Sequence, residues 1–497
     1  MNQTAMNGLA TQVPDFAGLI ARLGDDVPRH CILSKVEDTR AYECDGLSLY
    51  RTLPPVVILP ENEAQIIAVL KACKAFNVPI VARGAGTGLS GGAMPHAQGI
   101  VLGLAKLNRI QKIDPETATA VVQPGVRNLA ISEAAAAYGL YYAPDPSSQI
   151  ACSIGGNIAE NSGGVHCLKY GLTVHNVLKV RVITIDGDVI ELGSEAPDSP
   201  GLDLLAAFIG SEGMLGLVTE VTVKLIPKPA SARVIMASFS SVETAGQAVT
   251  DIIATGIIPA GLEMMDKRAV HMVEPFVKAG YDLEAEAILL CESDGTEAEV
   301  EDEIKRMLAV FEQAGATRLQ VSTSEQERLL FWAGRKNAFP AAGRVSPDYY
   351  CMDGTIPRRH LGRVLGAIEE MEDEFGLRCA NVFHAGDGNL HPLIMFDSNQ
   401  PNEVERAEKF GAAILELCVQ VGGTVTGEHG VGIEKINQMC VQFTREELDF
   451  FSAFKRAFDP YDLLNPEKVI PTLVRCAEYG KMHVHGGAIR FPELPRF

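Results

Sequence analysis

Several patterns that mark particular protein classes are missing from this chain. Its eleven cysteines include no Cys-x-x-Cys pair, and the nearest two, Cys31 and Cys44, are 13 positions apart. That spacing excludes the common ferredoxin-type iron–sulfur and zinc-ribbon frameworks. We therefore expect the cysteines to be ordinary buried residues.

Positive charge and long hydrophobic runs are also scarce. The 43 Lys and Arg residues face 63 Asp and Glu residues, which leaves a net charge of −20. Such an acidic chain repels nucleic acid and anionic lipid, so we expect neither as a main partner. No run of 18 apolar residues is present, and residues 1–8 show no basic region leading into an apolar stretch. The sequence therefore predicts no membrane span and no signal peptide, as in a cytoplasmic protein.

The patterns that are present predict a folded chain of several domains. At about 150 residues per domain, 497 residues correspond to about three domains or two larger ones. Pro227 and Pro229 end a clean alternating strand and mark a domain boundary. The elements predicted before this boundary are strands at 56–60, 78–82, 99–104 and 218–226, a helix at 61–76, and a strand–turn–strand unit over 174–190.

After the boundary, short strands alternate with long helical stretches. Strands at Val234–Phe239 and Ala287–Glu292 are each followed by a helix, at Val242–Ala254 and Glu297–Ala314. Repeated units of this kind predict an α+β layer with helices on one face of a sheet. The domains expected from this division are an N-terminal segment at 1–50, units at 51–229 and 230–470, and a tail at 471–497.

A glycine-rich loop over residues 83–93 contains Gly86-x-Gly88-x-x-Gly91, the spacing of the dinucleotide fingerprint. That fingerprint must open a helix, whereas a predicted strand follows here, so an NAD-dependent Rossmann dehydrogenase is the disfavoured alternative. Asp114 follows Gly91 by 23 positions, which is close to the spacing of the ribose-binding acid in that fingerprint. Its position therefore does not distinguish a Rossmann loop from another kind of loop. The loop is typical of an anion-binding nest of backbone N–H groups, although a tight structural turn is equally consistent with it.

Two further segments are rich in glycine, serine and asparagine, at 144–164 and 210–216. Three such loops exceed what turns alone need, and they predict a large ligand with many polar atoms. The three segments resemble the FAD-binding domain of the vanillyl-alcohol oxidase and p-cresol methylhydroxylase superfamily, over about residues 50–230. The resemblance implies a FAD-binding domain of two α+β subdomains at 51–229, followed by an α+β substrate (cap) domain at 230–470.

The same resemblance assigns the residues that contact the cofactor. Many relatives tether the flavin through a histidine in the first loop, but this loop has none and the nearest is His96. We therefore predict non-covalent FAD. The residues implied to bind it are Arg83, Gly84, Gly86, Thr87, Gly88, Leu89, Ser90, Pro144, Asp145, Ser147, Gly155, Gly156, Asn157, Ser162, Glu212, Gly213, Val218 and Asn465.

Two histidines flank an Asp-Gly turn signal in the second half of the chain. If Asp387 and Gly388 form a two-residue turn, His384 lies directly opposite His391, with Cβ atoms about 5 Å apart. This arrangement suits a metal ion, with Glu428 as the candidate third ligand. His429 then points elsewhere and is free to act as a base. The competing interpretation, which the residues alone favour, is a structural pair of cross-strand histidines that stack or bond to a carbonyl.

A second resemblance supports the metal site. Residues 384–391 and 427–430 match two motifs of the C-terminal domain of FAD-linked D-2-hydroxy acid dehydrogenases. This resemblance implies that His429 abstracts a proton. It also implies that His384, His391 and Glu428 hold a divalent metal, such as Zn, Mn, Fe or Co.

Carboxylate recognition in such a substrate calls for guanidinium groups. Arg335 aligns with the substrate arginine of this family, and Arg344 is a second candidate. Family members that act on longer diacids carry a lysine where this chain has Cys351, so the resemblance implies a small substrate. The family usually has glycine where Glu467 stands, near Asn465, which leaves the turn there open.

Together these features predict FAD-dependent oxidation of a small 2-hydroxy acid, such as glycolate or D-lactate, to the 2-oxo acid. The resemblance to enzymes of the glycolate oxidase type implies partner subunits, one with iron–sulfur clusters and one of a second flavin type. The tail from Pro471 is a candidate docking segment, with packing on its own domain equally consistent. Peripheral attachment to the inner membrane would follow through a partner. The alternatives are a D-lactate dehydrogenase acting alone and a non-catalytic electron-relay subunit.

Overall fold

A computed structural model describes residues 14–196 and 201–472, together with two short paired strands, Val484–His485 and Ala488–Ile489. A four-stranded sheet, a five-stranded sheet and a separate two-stranded pair form before residue 228, and a seven-stranded sheet forms after it. Within the part of the chain described, no helix is both long and apolar enough to cross a membrane. The predicted tail, 471–497, lies almost entirely outside the described residues.

The first sheet has four strands in the order β1-β2-β4-β3. Strands β2, β3 and β4 are parallel, and β1 runs antiparallel at the edge. This sheet therefore includes a strand from the first 50 residues. Its elements are β1 (Ile32–Leu33), β2 (Val56–Ile58), β3 (Ile80–Arg83) and β4 (Ile100–Gly103), with helices α1 (Phe16–Leu23), α2 (Val36–Thr39) and α3 (Glu63–Phe76).

The second sheet is antiparallel, with the order β5-β6-β10-β8-β9. Strand β7 pairs separately with β11, just before the chain enters the third sheet. The strands are β5 (Ile110–Asp114), β6 (Thr119–Val122), β7 (Leu140–Tyr141), β8 (Val177–Ile183), β9 (Val189–Gly193), β10 (Leu217–Lys224) and β11 (Ile226–Pro227). The helices are α4 (Asn128–Ala135), α5 (Ile154–Glu160), α6 (Cys167–Tyr170), α7 (Thr173–Asn176) and α8 (Leu204–Phe208).

The third sheet has seven strands in the order β15-β12-β14-β13-β17-β18-β16. Its strands are β12 (Ser231–Phe239), β13 (Gly261–Asp266), β14 (Ala287–Gly295), β15 (Arg318–Val321), β16 (Asp348–Cys351), β17 (Arg378–His384) and β18 (Asn389–Phe396). The helices are α9 (Val242–Ala254), α10 (Lys267–Val277), α11 (Glu297–Gln313), α12 (Glu325–Lys336), α13 (Ala338–Val345), α14 (Leu361–Phe375), α15 (Glu403–Gln420), α16 (Ile436–Gln442) and α17 (Arg445–Phe458).

The elements predicted from sequence are confirmed, with ends shifted by one to three residues at most positions. Helix α3 shows why its ends could be predicted. Asn62 caps its start by accepting from Gln65 N, and Asn77 ends it in the left-handed conformation with φ 51°. The strand β4 that follows the first glycine loop confirms that no Rossmann helix opens there.

The predicted one-sided layer is wrong, because helices cover both faces of the third sheet. Alternate residues of β12 enter two separate cores: Ile235 and Phe239 pack with α9, α11, α14 and α15, whereas Val234 and Met236 pack with α10, α12 and α13. A strand that is apolar on both faces must be covered on both. The nearly continuous apolar run over 234–239 was the available signal.

Candidate functional site

The paired strands β17 and β18 carry both predicted histidine ligands, but not in the predicted register. His384 pairs with Asn389, and His391 lies opposite Val382. The turn is a four-residue loop, because Gly388 N donates to His384 O at 2.9 Å. The predicted two-residue turn and direct histidine pair are therefore wrong. The two rings still share one face as diagonal neighbours, with centroids 5.1 Å apart.

Glu428 completes a group of three possible ligands with these histidines. Its Oε1 lies 3.1 Å from His384 Nε2 and 3.4 Å from His391 Nε2. All three ligand atoms lie within 4.8 Å of one another. His391 Nε2 is buried and makes no well-aligned hydrogen bond among the described residues, since its nearest acceptors are Glu428 Oε1 at 3.4 Å and Asp353 Oδ1 at 3.5 Å. The donors and their spacing fit a divalent metal, and an ion between them would give the orphaned nitrogen a partner.

Two buried charged groups stand behind the histidines. Glu263 Oε1 contacts His384 Nδ1 at 2.6 Å, and Glu263 Oε2 accepts from Arg335 Nε at 2.7 Å. Arg335 Nη2 lies 3.4 Å from His384 Nε2 and 3.5 Å from His391 Nδ1, while its Nη1 has no partner in the described part of the chain. Glu263 therefore turns His384 so that Nε2 faces Glu428.

Protonation in this group follows from the neighbouring charges. Although burial opposes it, the carboxylates of Glu263 and Glu428 raise the pKa of His384 well above its usual range. Burial lowers the pKa of His391 to about 3. Burial alone would raise the pKa of Glu428, but the neighbouring His384 lowers it to about 2. The Glu428 carboxylate is thus ionised and the His391 imidazole is neutral. His384 carries a positive charge, at a position where a metal cation would also fit.

His429 lies against the ligand group rather than away from it. Its ring stacks on that of His391, with centroids 4.8 Å apart and an interplanar angle of 4°. Its Nδ1 is buried without a partner among the described residues. Burial lowers the pKa of His429, so the ring is neutral and able to accept a proton. Asp353, His391 and His429 form a second group with metal-compatible spacing.

A cavity of about 450 Å³ joins this site to the three glycine-rich loops. His391, Glu428 and His429 line it at one end. The predicted cofactor residues that line it are Arg83, Gly84, Gly86, Thr87, Gly88, Leu89, Ser147, Gly155, Gly156, Asn157, Ser162, Glu212, Gly213 and Val218. A Cβ added at Gly88 would meet no atom closer than 3.9 Å, so this part of the loop leaves open space beside its backbone. The cavity therefore suits FAD.

Several predicted cofactor residues do not line the cavity. Asn465 donates to Gly92 O and Glu212 O, and Asp145 contacts His166, so both support the loops from behind. Ser90 is fully buried and its carbonyl accepts from Ile433 N. The remaining one, Pro144, lies two residues before the lining residue Pro146.

The two predicted arginines end up in different places. Arg335 is 1% exposed and stands behind the histidines, next to the cavity-lining Lys336 but not itself in the lining. Arg344 is exposed on α13, with its guanidinium over the ring of Phe276, and does not line the cavity. The structure therefore does not bring Arg344 to the site.

Sequence reasoning missed other residues that the cavity and the ligand group use. Glu160, Lys336, Phe339 and Tyr349 line the cavity. Lys336 directly follows Arg335, so a closer reading of that segment would have included it. Glu263 carried no sequence signal, because its role depends on the pairing of β13 with β17.

Comparison with protein families places both halves of the chain. The profile described as "FAD binding domain" matches residues 54–193, and the one described as "FAD linked oxidases, C-terminal domain" matches residues 228–469. The chain is also 61% identical to the glycolate oxidase subunit GlcD of Escherichia coli K12, over 97% of both chains. The chain belongs to the FAD-linked oxidases. As an FAD-linked oxidase it is an FAD-dependent oxidoreductase, which confirms the predicted family, fold class and use of FAD.

More distant proteins also align with most of this chain. The glycolate oxidase subunit GlcD of Bacillus subtilis is 40% identical, over 86% of this chain and 91% of the relative. A D-lactate dehydrogenase of Archaeoglobus fulgidus is 32% identical, over 84% and 92%. Among solved structures, p-cresol methylhydroxylase aligns with a TM-score of 0.76 at 17% identity, over 91% of this chain and 96% of that one. That last likeness concerns the fold alone.

Proposed function

We propose that this oxidase converts a small 2-hydroxy acid, glycolate or D-lactate, to the corresponding 2-oxo acid. The observation that carries the proposal is the His384, His391 and Glu428 group beside a neutral His429, whose Nδ1 has no hydrogen-bond partner among the described residues, at one end of the FAD cavity. The glycolate oxidase and D-lactate dehydrogenase names of the relatives agree with this substrate class.

The FAD and the metal fit residues already described. Bound FAD would supply the hydride acceptor for the oxidation. The absence of His96 from the cavity lining supports a non-covalent flavin, which acid precipitation should release. A divalent metal, when bound, lowers the pKa of a nearby hydroxyl group. His384, His391 and Glu428 would hold it.

The chain's own residues account for the proton and the carboxylate. His429 accepts the hydroxyl proton at Nδ1, the ring nitrogen without a partner, since it is neutral at physiological pH. Arg335 is the proposed cation for the substrate carboxylate, because it stands directly behind the histidines and its Nη1 has no acceptor among the described residues. Arg344 is left out of the proposal because of its exposed position.

Anaerobic titration of the purified protein with glycolate, D-lactate and L-lactate tests the reaction. The native protein should lose its flavin absorbance with one of the first two acids. His429→Ala should retain FAD and metal but bleach about 10²–10⁴-fold more slowly, the usual contribution of a general base. Native-like bleaching by this variant would refute the role of His429. Failure of all three acids to bleach the native flavin would leave the electron-relay alternative.

Metal removal tests the ligand group separately. Treatment with a chelator such as EDTA should abolish turnover, and adding back Zn²⁺, Mn²⁺, Fe²⁺ or Co²⁺ should restore it and identify the metal. The parallel measurement is metal content by elemental analysis in native protein and in His391→Ala. Full activity of protein free of metal would return His384 and His391 to a structural role.

The proposal also extends to partners and domains. Two of the relatives are named as subunits, which supports a hetero-oligomer in which iron–sulfur and further flavin subunits accept the electrons. Association with the inner membrane would then come through those partners. A D-lactate dehydrogenase acting alone is the alternative that the Archaeoglobus relative supports.

We further propose the domain division at residues 229–230, where the chain passes from β11 to β12.

A further inference from the structure

Asp353 is a completely buried carboxylate at the rear of the candidate site. It lies two residues after strand β16 and is 0% exposed. It does not line the cavity, and nothing in the proposed reaction uses it. A buried carboxylate is costly unless it is paired and hydrogen-bonded, so its bonding partners are informative.

The partners of Asp353 are the backbone of the segment that carries Glu428 and His429. Gly427 N donates to Oδ2 at 3.0 Å, Glu428 N to Oδ1 at 3.1 Å, and His429 N to Oδ2 at 2.9 Å. The carbonyl of Asp353 also accepts from Gly427 N, at 2.8 Å. Three consecutive N–H groups thus converge on one carboxylate, which fixes the path of the backbone there.

Side chains occupy the rest of this carboxylate. Thr426 Oγ1 donates to Oδ2 at 2.6 Å, Lys435 Nζ to Oδ2 at 3.0 Å, and Asn389 Nδ2 to Oδ1 at 2.8 Å. A carboxylate offers about four lone-pair sites, so six donors saturate it. Asp353 therefore has no lone pair left for a metal. This argues against the group of Asp353, His391 and His429 and leaves His429 available as a base.

Lys435 holds the other end of the same segment. It is 0% exposed and also donates to Gly430 O, at 2.9 Å. The ion pair of Asp353 and Lys435 therefore contacts the short segment at 426–430 at both ends, Asp353 at residues 426–429 and Lys435 at Gly430. Asn389 adds a link to the histidine hairpin, because it begins β18 two residues before His391.

We propose that Asp353 is a positioning residue, which holds segment 426–430 so that Glu428 reaches the two histidines and His429 stacks on His391. The proposal rests on the proposed function for the roles of Glu428 and His429. It differs from a plain structural role in one respect. Loss of Asp353 should loosen this segment specifically and slow the chemical step, rather than only lower stability.

Asp353→Asn is the primary test, with Thr426→Val as a milder second variant should the first fail to fold. The matched control is Asp294→Asn. Asp294 is also a buried aspartate that accepts a hydrogen bond from a lysine, Lys169, at 2.6 Å, but it does not line the cavity. Bound FAD and the thermal midpoint show whether each variant is folded.

Hydrogen exchange measured by mass spectrometry reports on the segment without requiring activity. In Asp353→Asn, the peptide that contains residues 427–429 should exchange roughly tenfold faster, the factor that loss of about one hydrogen bond allows. Turnover should fall about 100-fold with KM within a few-fold, as expected when a reacting group is displaced by about 1 Å. Asp294→Asn should change neither measurement by more than about threefold, less than the loss of one hydrogen bond allows.

The outcomes separate this proposal from the proposed function. Unchanged exchange of 427–429 in a folded Asp353→Asn variant would overturn the positioning role, whatever His429→Ala does. Faster exchange with native turnover would also overturn it, since the segment's position would then not matter. Failure of the proposed function appears instead in the native protein, as an absence of flavin bleaching by the three acids.

Discussion

A single carboxylate decides how the hairpin histidines are presented. Glu263 comes from β13, the strand next to β17, and accepts from both His384 and Arg335. Hydrogen bonding at the far nitrogen of a metal-binding histidine fixes its tautomer and orientation. Without this partner, His384 Nε2 would not be held toward Glu428.

We predict that Glu263→Gln lowers metal affinity by about 10- to 100-fold, the usual effect of losing such a partner. The measurement is a competition titration with a chromophoric chelator, at constant FAD content. Glu372→Gln is the control, because Glu372 is also largely buried and accepts from Cys379 N, but lies outside the site. Equal metal affinity in native protein and Glu263→Gln would contradict the orienting role.

At the scale of elements, helix α6 and the residue before it join the first half of the chain to the third sheet. His166 contacts Asp145 Oδ2 at 2.8 Å and Glu292 Oε1 at 3.2 Å. Lys169 and Tyr170 both bind Asp294, at the end of β14. Asp145 was predicted to contact FAD, yet its carboxylate serves this junction.

This junction should make stability depend on pH. Burial alone would lower the pKa of His166, but Asp145 and Glu292 raise it from 6.5 to about 10. A raised folded-state pKa stabilises fully below pH 6.5, and the contribution is lost as the pH rises through about 10. His166→Ala should therefore cost about 1–3 kcal/mol near pH 6, with the difference from native shrinking toward pH 10.

The test compares thermal midpoints of native and variant protein across this range. His30→Ala is the control, since His30 is 66% exposed and its pair with Glu61 contributes at most about 1 kcal/mol. A difference between native and His166→Ala that stays constant from pH 6 to pH 10 would exclude the charged junction.

For the whole molecule, the question is where the electrons leave. The described helices include none that could cross a membrane, and no Cys-x-x-Cys pair is present in the sequence to build a ferredoxin-type cluster. We predict that the isolated chain reduces artificial dyes in the presence of substrate but reduces quinone poorly. Rapid quinone reduction by the purified single chain would argue against the partner subunits.

Dye and quinone rates should be measured on one preparation, with equal FAD content, so that only the acceptor differs. A lysate fraction that contains the native assembly is the positive control for quinone. The tail residues Phe491, Leu494 and Phe497, predicted to dock, lie outside the described residues, and their role stays a prediction.

The local features of this protein could be predicted from the amino-acid sequence. Glycine-rich loops, helix caps and the two histidine motifs depend on neighbours within a few residues, so their composition predicts them directly. The cavity-lining loops and the choice of His384, His391 and Glu428 as neighbours therefore follow from sequence pattern and family resemblance, while their binding of a metal stays a prediction.

Contacts between residues that are distant in the sequence became known from the folded structure. The register of the histidine hairpin depends on how its loop is anchored to Leu262 of β13. Glu263 and Asp353 act through strands and loops that are far apart in sequence, and the covering of both sheet faces depends on where helices pack. These contacts are set by non-local packing and burial, which no short window of sequence encodes.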